Sequence, residues 1–546
     1  MRGLMQHFPL TLPHLFGRAE SVYADKEVIT ATGGGSRQRV TYGAWAERTR
    51  RLGGALDALG VSSQGRVGTF AWNSARHLEL YFAAPCTGRV LHTLNIRLSP
   101  EHLVYVANHA ADEVIFVDRS LAHLLFPLAS QLKTVKQIVV MDDGQGEIPP
   151  IGDGPEVYDY EELIAGAASA DFTVDDETRA ASMCYTSGTT GQPKGVVYTH
   201  RSTFLHTMGV MAAGSLAISE SDRVLPIVPM FHANAWGLGH AAVATGATLV
   251  MPGPDLSPGA IADLIEQERV TVAAGVPTIW QGMLPKLDNR DVSSLRTILC
   301  GGSAVPKALS EAYLAVTGLP ILQAWGMTET SPLGAVCRIT SSAQANLDDE
   351  ALADLRTSVG QPVVGVEARI TDPAAAPEEP LPWDGVISGE LQVRGPWIAA
   401  GYHDHPQSAD SFTSDGWLRT GDIATIDSHG YIHLVDRIKD VIKSGGEWIS
   451  SVQLENELMA HPAVVEAAVI GVPQPKWGER PVAYVVLRPG VEAGADTKTD
   501  LCDHLDQRVP RWWLPDEILF IDSIPKTSVG KFAKKQLRET HANRNS

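Results

Sequence analysis

The segment from Tyr185 to Gly195 has the composition of a loop that binds phosphate groups. It reads Tyr-Thr-Ser-Gly-Thr-Thr-Gly-Gln-Pro-Lys-Gly. Glycines leave backbone N–H groups free to point at an anion, hydroxyl side chains add donors, and Lys194 adds a mobile positive charge. The usual nucleotide loop ends in Gly-Lys followed by Ser or Thr, whereas Lys194 is followed by Gly195. The pattern therefore predicts a polyphosphate loop and disfavours a kinase or GTPase of the usual kind.

Five further segments combine glycine, aromatic and charged residues in ways that packing alone does not explain. A turn of small residues after a parallel strand lets a flat ligand lie against the backbone, and an acid after a Thr-Gly turn suits sugar hydroxyls. The segments are Cys300-Gly-Gly-Ser-Ala304, Gln323-Ala-Trp-Gly-Met-Thr-Glu-Thr330, Trp417-Leu-Arg-Thr-Gly-Asp422, Lys439-Asp-Val-Ile-Lys-Ser-Gly-Gly-Glu-Trp448 and Pro525-Lys-Thr-Ser-Val-Gly-Lys531.

The elements that must position these segments alternate between helices and strands over the first two thirds of the chain. Residues 41–59 have helical periodicity and end at Gly60. Short apolar runs predict buried strands at 66–71, 114–117, 137–141, 247–251 and 270–274, with a further helix over 261–267. Strands separated by helices predict an α/β fold with parallel sheets.

The pattern of predicted elements changes near Gln361, where short strands separated by Gly, Pro and Asp turns begin. Strands are predicted at 366–370, 389–394 and 430–436, which favours an antiparallel or barrel-like sheet. The charged run Asp436-Arg-Ile-Lys-Asp440 interrupts this pattern, and further strands follow at 464–470 and 482–487. We therefore predict a large domain over 1–435, a hinge at 436–439 and a small C-terminal domain over 440–546.

Composition narrows the function classes. The chain has 546 residues and a formal net charge of −19, which disfavours nucleic acid as a partner because a phosphate backbone requires a basic surface. The five cysteines are scattered without a C-x-x-C pair, as is typical of a reducing cytosol. No apolar run reaches the roughly 18 residues of a membrane span, and the N-terminus lacks a signal-peptide core. A cytoplasmic enzyme is expected.

Taken in order along the chain, these motifs resemble the adenylate-forming superfamily of acyl-CoA synthetases, luciferases and peptide-synthetase adenylation domains. The similarity is greatest to long- and medium-chain fatty acyl-CoA synthetases and spans essentially the whole chain. The resemblance implies a large N-terminal domain of two doubly wound sheets plus a barrel-like antiparallel sheet. It also implies a small, mobile α+β C-terminal domain, and it favours a homodimer because many relatives are dimers.

The resemblance assigns expected roles to residues of the nucleotide site. Thr186 and Glu329 would hold Mg²⁺, a hard ion that prefers oxygen ligands; Glu329 and Lys531 would be catalytic, with Lys531 reaching the α-phosphate. Trp325 stands where the family usually has Tyr, and Ala324 where it often has Gly. The expected ATP- and AMP-binding residues are Thr186, Ser187, Gly188, Thr189, Thr190, Gly191, Lys194, Gly302, Ser303, Ala304, Gln323, Ala324, Trp325, Gly326, Met327, Thr328, Asp422, Arg437, Lys439, Lys443 and Trp448.

The expected acyl pocket is mostly apolar and holds no acid for an amino group, which disfavours a peptide-synthetase domain. His232 would position the substrate carboxylate as a third catalytic residue, and Trp236 resembles the gate residue of the fatty-acid enzymes. The acyl-binding residues are expected to be His232, Ala233, Trp236, Gly275 and Gly334, and Gly445 and Gly446 would border the coenzyme A channel. His403-Asp-His405 lacks a third metal ligand and is interpreted as a non-functional loop, and His206, His240 and His461 are interpreted as non-functional too.

The predicted function is therefore an ATP-dependent acid:CoA ligase that activates a medium- or long-chain fatty acid, with ATP, Mg²⁺ and coenzyme A as cofactors. An aryl- or short-chain acid ligase, including one for sulfur-containing acids, stays open because pocket depth cannot be read from the sequence. An acyl-AMP ligase that donates to a carrier protein is a further alternative, although the insertion typical of such enzymes is absent. A luciferase-like oxygenase and a catalytically dead acyl-binding protein are weaker hypotheses.

Overall fold

A computed structural model describes residues 1–152, 154–186, 192–373, 375, 378–406, 408–445, 447–526 and 532–545. Within these residues the strands form four sheets, of nine, seven, four and five strands. We call them the larger α/β sheet, the smaller α/β sheet, the antiparallel sheet and the C-terminal sheet. Among the described residues, no helix combines the length and apolar character needed to cross a bilayer.

The larger and smaller α/β sheets are parallel apart from strands at their edges. The strands of the larger sheet, in spatial order, are Gln361–Pro362, Ala335–Val336, Ile321–Trp325, Thr297–Cys300, Val272–Gly275, Arg223–Pro226, Thr248–Met251, Glu27–Gly33 and Ser36–Thr41. Those of the smaller sheet are Glu156–Asp159, Gln137–Met141, Asp112–Asp118, Arg66–Phe70, Val90–Thr93, Ala180–Tyr185 and Gly195–Thr199. The predicted parallel α/β fold is confirmed.

The remaining sheets belong to the last third of the chain. The antiparallel sheet consists of Glu367–Thr371, Gly389–Arg394, Leu418–Ile426 and Ile432–Arg437, and a bridge between Gly360 and Ile432 links it to the edge of the larger α/β sheet. The C-terminal sheet consists of Glu447–Ile449, Ile442–Ser444, Gly478–Leu487, Val464–Gln474 and Glu517–Phe520. It mixes antiparallel pairs with one parallel pair, as an α+β unit does.

The helices begin where the sequence supplies capping residues. Thr41, Ser74, Ser99 and Ser257 each accept a hydrogen bond from a backbone N–H of the first helical turn, which satisfies a group that has no partner inside the helix. The α-helices are Leu12–Ser21, Tyr42–Ala58, Ala75–Cys86, Pro100–Ala110, Ala122–Leu125, Tyr160–Ala165, His200–Met211, Leu238–Thr245, Pro258–Gln267, Pro277–Met283, Lys307–Thr317, Ser341–Asn346, Asp349–Leu355, Ser451–Met459, Ala495–Asp506 and Lys534–Asn545.

The α/β sheets and the C-terminal sheet have separate clusters of buried apolar side chains. One cluster of buried side chains includes Val67 of the smaller α/β sheet, Leu249 of the larger one, and Trp45 and Phe82 of the helices packed against them. The C-terminal sheet has a cluster of its own, in which Ile442 and Val485 pack against residues of the helices Ser451–Met459 and Ala495–Asp506. The two α/β sheets thus share one core, and this core holds their strand ends in fixed positions around the cleft described next.

Candidate active site

A cleft of about 230 Å³ lies where strands of both α/β sheets end. Thr297–Cys300 and Ile321–Trp325 reach it from the larger sheet, and Ala180–Tyr185 reaches it from the smaller sheet. In open α/β sheets, ligands typically bind in the crevice outside the carboxyl ends of the strands. The cleft is lined by Thr186, Gln192, Lys194, Val210, Leu216, His232, Ala233, Trp236, Leu299, Gly301, Gly302, Ala324, Trp325, Gly326, Met327, Thr328, Glu329, Pro332, Leu333, Tyr402, Arg437 and Lys439.

The lining divides into a polar part and an apolar part. The polar part contains predicted site residues from segments far apart in sequence, including Thr186, Lys194, Glu329 and Arg437. The apolar part includes Val210, Leu216, Leu299 and Leu333, which the sequence analysis did not single out. Val210 lies in a helix, Leu216 in a turn, Leu299 in a buried strand and Leu333 in a loop, and no local pattern distinguishes them from ordinary core residues.

The two ends of the phosphate loop are joined by two hydrogen bonds, one between backbone groups and one to a side-chain hydroxyl. The N–H of Thr186 donates to the carbonyl of Lys194 at 2.9 Å, and the N–H of Lys194 donates to Thr186 Oγ1 at 3.1 Å. The loop therefore leaves the sheet and returns to it at one point, and both residues line the cleft. The predicted phosphate-binding residues Ser187, Gly188, Thr189, Thr190 and Gly191 lie outside the described residues.

The small-residue turn after Thr297–Cys300 lies on one side of the cleft. Gly302 adopts a φ of +86°, a conformation that glycine reaches without strain. Gln323 holds this turn, because its Oε1 accepts from the N–H of Val305 at 3.0 Å and its Nε2 donates to the carbonyl of Thr357 at 3.2 Å. Both polar ends of Gln323 are thus engaged with backbone. Ser303 and Ala304 belong to the same turn but are not among the described lining residues.

Trp325, Asp422 and Arg437 form a connected group, of which Trp325 and Arg437 line the cleft and Asp422 lies behind them, outside the described lining. Trp325 Nε1 donates to Asp422 Oδ2 at 2.9 Å, and Arg437 Nε lies 2.9 Å from Asp422 Oδ1. Asp422 and Arg437 are paired residues of adjacent antiparallel strands, which explains why their side chains meet. Asp422 is only 4% exposed, so its carboxylate requires these partners.

The backbone around Trp325 and Asp422 is shaped by two glycines. A Cβ on Gly334 would lie 2.4 Å from Trp325 Cζ3, so only glycine lets the indole pack there. Gly421 has a φ of +71° at an irregularity in the strand register, where a bulge redirects the following side chain. The predicted acyl residue Gly334 therefore lies against the back of the predicted nucleotide residue Trp325, whereas Gly275 packs against Trp280.

Glu329 lies in the short helix Thr328–Thr330 and lines the cleft at 5% exposure. Tyr402 Oη donates to Glu329 Oε1 at 2.6 Å, and Lys194 Nζ lies 4.6 Å from the centre of the Tyr402 ring. No sequence pattern points to Tyr402 as a site residue. The residue is separated from Glu329 by 73 positions and follows an irregular segment, so no periodicity or spacing connects the two.

The candidate acyl residues His232, Ala233 and Trp236 line the cleft from one short segment. Ala233, Asn234, Ala235 and Trp236 all have positive φ values between 43° and 58°. They form a left-handed turn whose backbone conformation residues other than glycine rarely adopt. Such strain persists only where the surroundings enforce it. Asn234 supplies one restraint, because its Nδ2 donates to Ser182 Oγ at 3.0 Å. The ring of Trp236 faces Gly301, where an added Cβ would lie 3.3 Å from Trp236 Cη2.

The predicted hinge and C-terminal residues lie in two places. Arg437 ends the strand Ile432–Arg437, and Arg437 and Lys439 line the cleft; burial lowers the pKa of Lys439. Lys443 and Trp448 are opposite each other in the hairpin of Ile442–Ser444 and Glu447–Ile449, away from the described lining, and Gly445 lies in its turn with its N–H donating to Trp477. Gly446 and Lys531 lie outside the described residues.

The oxygen donors of the cleft suit a hard cation only in combination with substrate oxygens. In the described part of the chain, no group of three or more His, Cys, Asp or Glu side chains could hold a metal ion. Thr186 and Glu329 nevertheless present a hydroxyl and a carboxylate to the same cleft, beside Lys194. Mg²⁺ typically takes one or two protein ligands together with substrate phosphates and water, so this pair fits such an ion.

Comparison with known proteins agrees with this arrangement. The family model of the AMP-binding enzymes matches residues 16–403, and that of the AMP-binding enzyme C-terminal domain matches residues 453–531. The chain belongs to the AMP-binding enzyme family. Asp422, Arg437 and Lys439 lie between the two matched stretches, so their assignment as site residues depends on the motifs and on the geometry.

Two curated relatives and one solved structure are similar over nearly the full length. The long-chain-fatty-acid–CoA ligase of Thermus thermophilus is 44% identical over 98% of this chain and 96% of its own. The 3-methylmercaptopropionyl-CoA ligase of Ruegeria lacuscaerulensis is 42% identical over 99% of this chain and 98% of its own. The crystal structure of ATP-bound MatB from Rhodopseudomonas palustris superposes with a TM-score of 0.83 at 27% identity, covering 99% of this chain and 100% of that one.

Proposed function

We propose that the protein is an AMP-forming acid:CoA ligase that activates a medium- or long-chain fatty acid. The observation that carries the proposal is the continuity of one cleft, which joins a phosphate-loop end at Lys194 to an apolar wall at Leu216 and Leu333. A ligase of this kind must hold a polyphosphate and an apolar acid at the same time. The similarity to the Thermus thermophilus fatty-acid ligase supports this substrate class.

The first step would be attack of the acid's carboxylate on the α-phosphate of ATP, which forms an acyl-adenylate and releases pyrophosphate. Lys194 and the phosphate loop would bind the β- and γ-phosphates, and Lys531 would offset the charge that develops at the α-phosphate. Thr186 and Glu329 would hold Mg²⁺, which when bound would neutralise charge on the pyrophosphate. His232 would orient the carboxylate toward the reacting phosphorus.

The remaining nucleotide contacts follow from the group around Trp325. Asp422 would accept both ribose hydroxyls, since a buried carboxylate offers about four lone-pair positions and Trp325 and Arg437 leave some of them open. Adenine would lie between Trp325 and the turn formed by Gly302, Ser303 and Ala304. Ala324, Gly326, Met327 and Thr328 would line this part of the nucleotide site.

The second step would transfer the acyl group to the thiol of coenzyme A and release AMP. We propose that the C-terminal domain rotates about Lys439 between the two steps. The rotation would bring the hairpin with Lys443, Gly445, Gly446 and Trp448 to the cleft, where the glycines leave room for a narrow pantetheine arm. In the conformation described here Lys443, Gly445 and Trp448 are not among the residues that line the cleft.

A ligase for a short, sulfur-containing acid is a second candidate. It is favoured by the 42% identity to the 3-methylmercaptopropionyl-CoA ligase of Ruegeria lacuscaerulensis. Both candidates use the same nucleotide chemistry and differ in the length of apolar pocket that the substrate fills. A carrier protein as acyl acceptor would leave the first step unchanged and alter only the second.

The test is to measure pyrophosphate and AMP release with Mg-ATP and a panel from butanoic to octadecanoic acid, 3-methylmercaptopropionate and aryl acids, with and without coenzyme A. Coenzyme A-dependent AMP formation that peaks with a fatty acid is expected. A peak at 3-methylmercaptopropionate would select the second candidate. Pyrophosphate release without turnover on coenzyme A would point to another acceptor, and no acid-dependent release would refute the ligase.

We further propose a cytoplasmic location and a homodimeric state. The scattered, unpaired cysteines support the reducing compartment, and the dimer follows from the resemblance. Light scattering of the purified protein checks the oligomeric state, and fractionation of the native cells checks the location.

A further inference from the structure

Tyr402 touches two of the candidate phosphate and metal residues at once. Its hydroxyl donates to Glu329 Oε1 at 2.6 Å, and its ring lies beneath the ammonium group of Lys194 at 4.6 Å. Tyr402 itself lines the cleft. One side chain, from a segment outside the phosphate loop and outside the helix of Glu329, therefore connects the carboxylate with the lysine.

The segment that carries Tyr402 is fixed by its backbone to Glu329 and to Gly195, the residue that follows Lys194. The N–H of Ala399 donates to the carbonyl of Glu329 at 2.8 Å, and the N–H of His403 donates to the carbonyl of Gly195 at 2.8 Å. The N–H of Tyr402 donates to Ser408 Oγ at 2.8 Å. Because these bonds are independent of the phenol hydroxyl, the backbone should keep its place when that hydroxyl is removed.

The contact with Glu329 has the properties of a device that orients a ligand. A carboxylate that is 5% exposed requires hydrogen bonds, and Tyr402 supplies one to Oε1 of Glu329, a residue that lines the cleft. A phenol hydroxyl has an ordinary pKa of about 10, so it is protonated and able to donate at neutral pH. A carboxylate can accept this bond and still bind a cation with its remaining lone pairs.

The second contact of Tyr402 restrains Lys194, which is expected to bind the phosphates of ATP. An ammonium above an aromatic face is held by the ring's quadrupole, which restricts an otherwise flexible side chain. Lys194, at the end of the phosphate loop, lines the same cleft.

We propose that Tyr402 is a positioning residue that orients Glu329 for Mg²⁺ through its hydroxyl and Lys194 for the phosphates of ATP through its ring. The inference rests on the proposed function and deepens it. It gives Tyr402, which belongs to neither the phosphate loop nor the helix of Glu329, a part in binding the cation at the same site. It also gives a role to the segment next to His403-Asp-His405, which the sequence analysis interpreted as a loop without function.

The two contacts can be separated by two substitutions. Tyr402→Phe removes the hydroxyl and keeps the ring, whereas Tyr402→Leu removes both. Tyr158→Phe is the matched control, because Tyr158 Oη donates to Glu156 Oε2 at 2.7 Å in an edge strand that does not border the cleft. Binding of ATP to the full-length protein is measured by calorimetry with Mg²⁺ and with EDTA, together with the Mg²⁺ concentration that gives half-maximal pyrophosphate release.

Loss of a group that orients a metal ligand typically lowers metal affinity about 10- to 100-fold. Tyr402→Phe should therefore weaken Mg-ATP binding by about tenfold or more and raise the Mg²⁺ midpoint, with ATP binding in EDTA unchanged. Tyr402→Leu should in addition weaken ATP binding in EDTA by about two- to fivefold, the value of an exposed cation–π contact. Tyr158→Phe should behave as the wild type in every assay.

Wild-type Mg²⁺ dependence in Tyr402→Phe, or the same loss in Tyr158→Phe, would overturn the inference. Tyr402→Phe would also overturn the inference if it weakened ATP binding equally with Mg²⁺ and with EDTA. That result would indicate a general structural defect, which affects ATP binding in both conditions. Failure of the proposed function can be told apart from failure of this inference. If the protein is not a ligase, the wild type will show no acid-dependent pyrophosphate release, but the variants can still be compared by their Mg-ATP affinities. A wild type that does not bind Mg-ATP would overturn both.

Discussion

The indole N–H of Trp325 donates a 2.9 Å hydrogen bond to the buried carboxylate of Asp422. By its resemblance to the family, Trp325 stands where tyrosine is usual, and tryptophan lacks the hydroxyl of tyrosine. The structure shows that a donor is still present on the ring and that it reaches the carboxylate predicted to bind ribose. The aromatic face and the acid are therefore oriented as one unit.

We predict that Trp325→Phe weakens ATP use without preventing folding. A hydrogen bond to a charged group contributes about 1.5–3 kcal/mol, so the KM for ATP should rise by roughly tenfold or more. The phenyl ring still fills most of the space beside Gly334. Steady-state kinetics check this, with Trp383→Phe as control because Trp383 is an exposed tryptophan at 44%. An unchanged KM would show that the Trp325–Asp422 bond does not contribute to nucleotide binding.

We predict that Trp236→Ala lets the acid bind in the absence of ATP. The indole lines the cleft and packs against Gly301, which belongs to the turn proposed to bind adenine. Its removal should increase the affinity for a fluorescent fatty acid without nucleotide, and titration of that probe measures the change. Trp383→Ala serves as the control. Equal affinities of Trp236→Ala and the wild type would argue against a gate at this position.

We predict that Lys531→Ala separates the two half-reactions. Removing one group that stabilises transition-state charge lowers rates by about 10²- to 10³-fold, so acid-dependent pyrophosphate release should fall by that order. Thioester formation from supplied acyl-adenylate should be spared, because it does not involve the pyrophosphate leaving group. Lys535→Ala, on the neighbouring helix, is the control. A similar loss in both half-reactions would contradict the assignment.

We predict that the protein loses stability as the pH falls below neutral, partly through His240. Burial lowers the pKa of His240 from 6.5 to about 4, so the folded state keeps it neutral where the unfolded state binds a proton. The free energy of unfolding should therefore decrease by up to about 1.4 kcal/mol per pH unit for this group between those two pKa values. Stability is retained above pH 6.5 and lost as the pH approaches the folded-state pKa.

Thermal unfolding of the wild type and of His240→Asn at about pH 7 and about pH 5 checks this pH dependence. The variant can be less stable at both values, but the difference in Tm between them should be smaller than in the wild type. His429→Gln, which replaces an exposed histidine, should keep the wild-type difference. An equal pH dependence in all three proteins would exclude His240 as a contributor.

Much of the fold was predictable because it depends on local patterns. The strands at 137–141 and 389–394 have the predicted bounds, and the helix predicted over 41–59 spans Tyr42–Ala58. Apolar runs of strand length and helical periodicity report burial directly, since a regular element must hide one face or both. The left-handed turn of Ala233 to Trp236 could not be predicted in this way, because alanine and tryptophan have no preference for positive φ and the surrounding contacts impose it.

The sequence by itself determined the family, the order of the motifs and the chemical types available to the site, because glycines, hydroxyls, lysines and acids keep their chemistry in any context. Only the tertiary structure decided which of these side chains meet. It brought Trp325 to Asp422 across 97 positions and Tyr402 to Glu329 across 73. It also directed Gln323 to the backbone and set Gly334 behind an indole. Contacts of this kind depend on how the sheets share one core, and sequence separation carries no information about them.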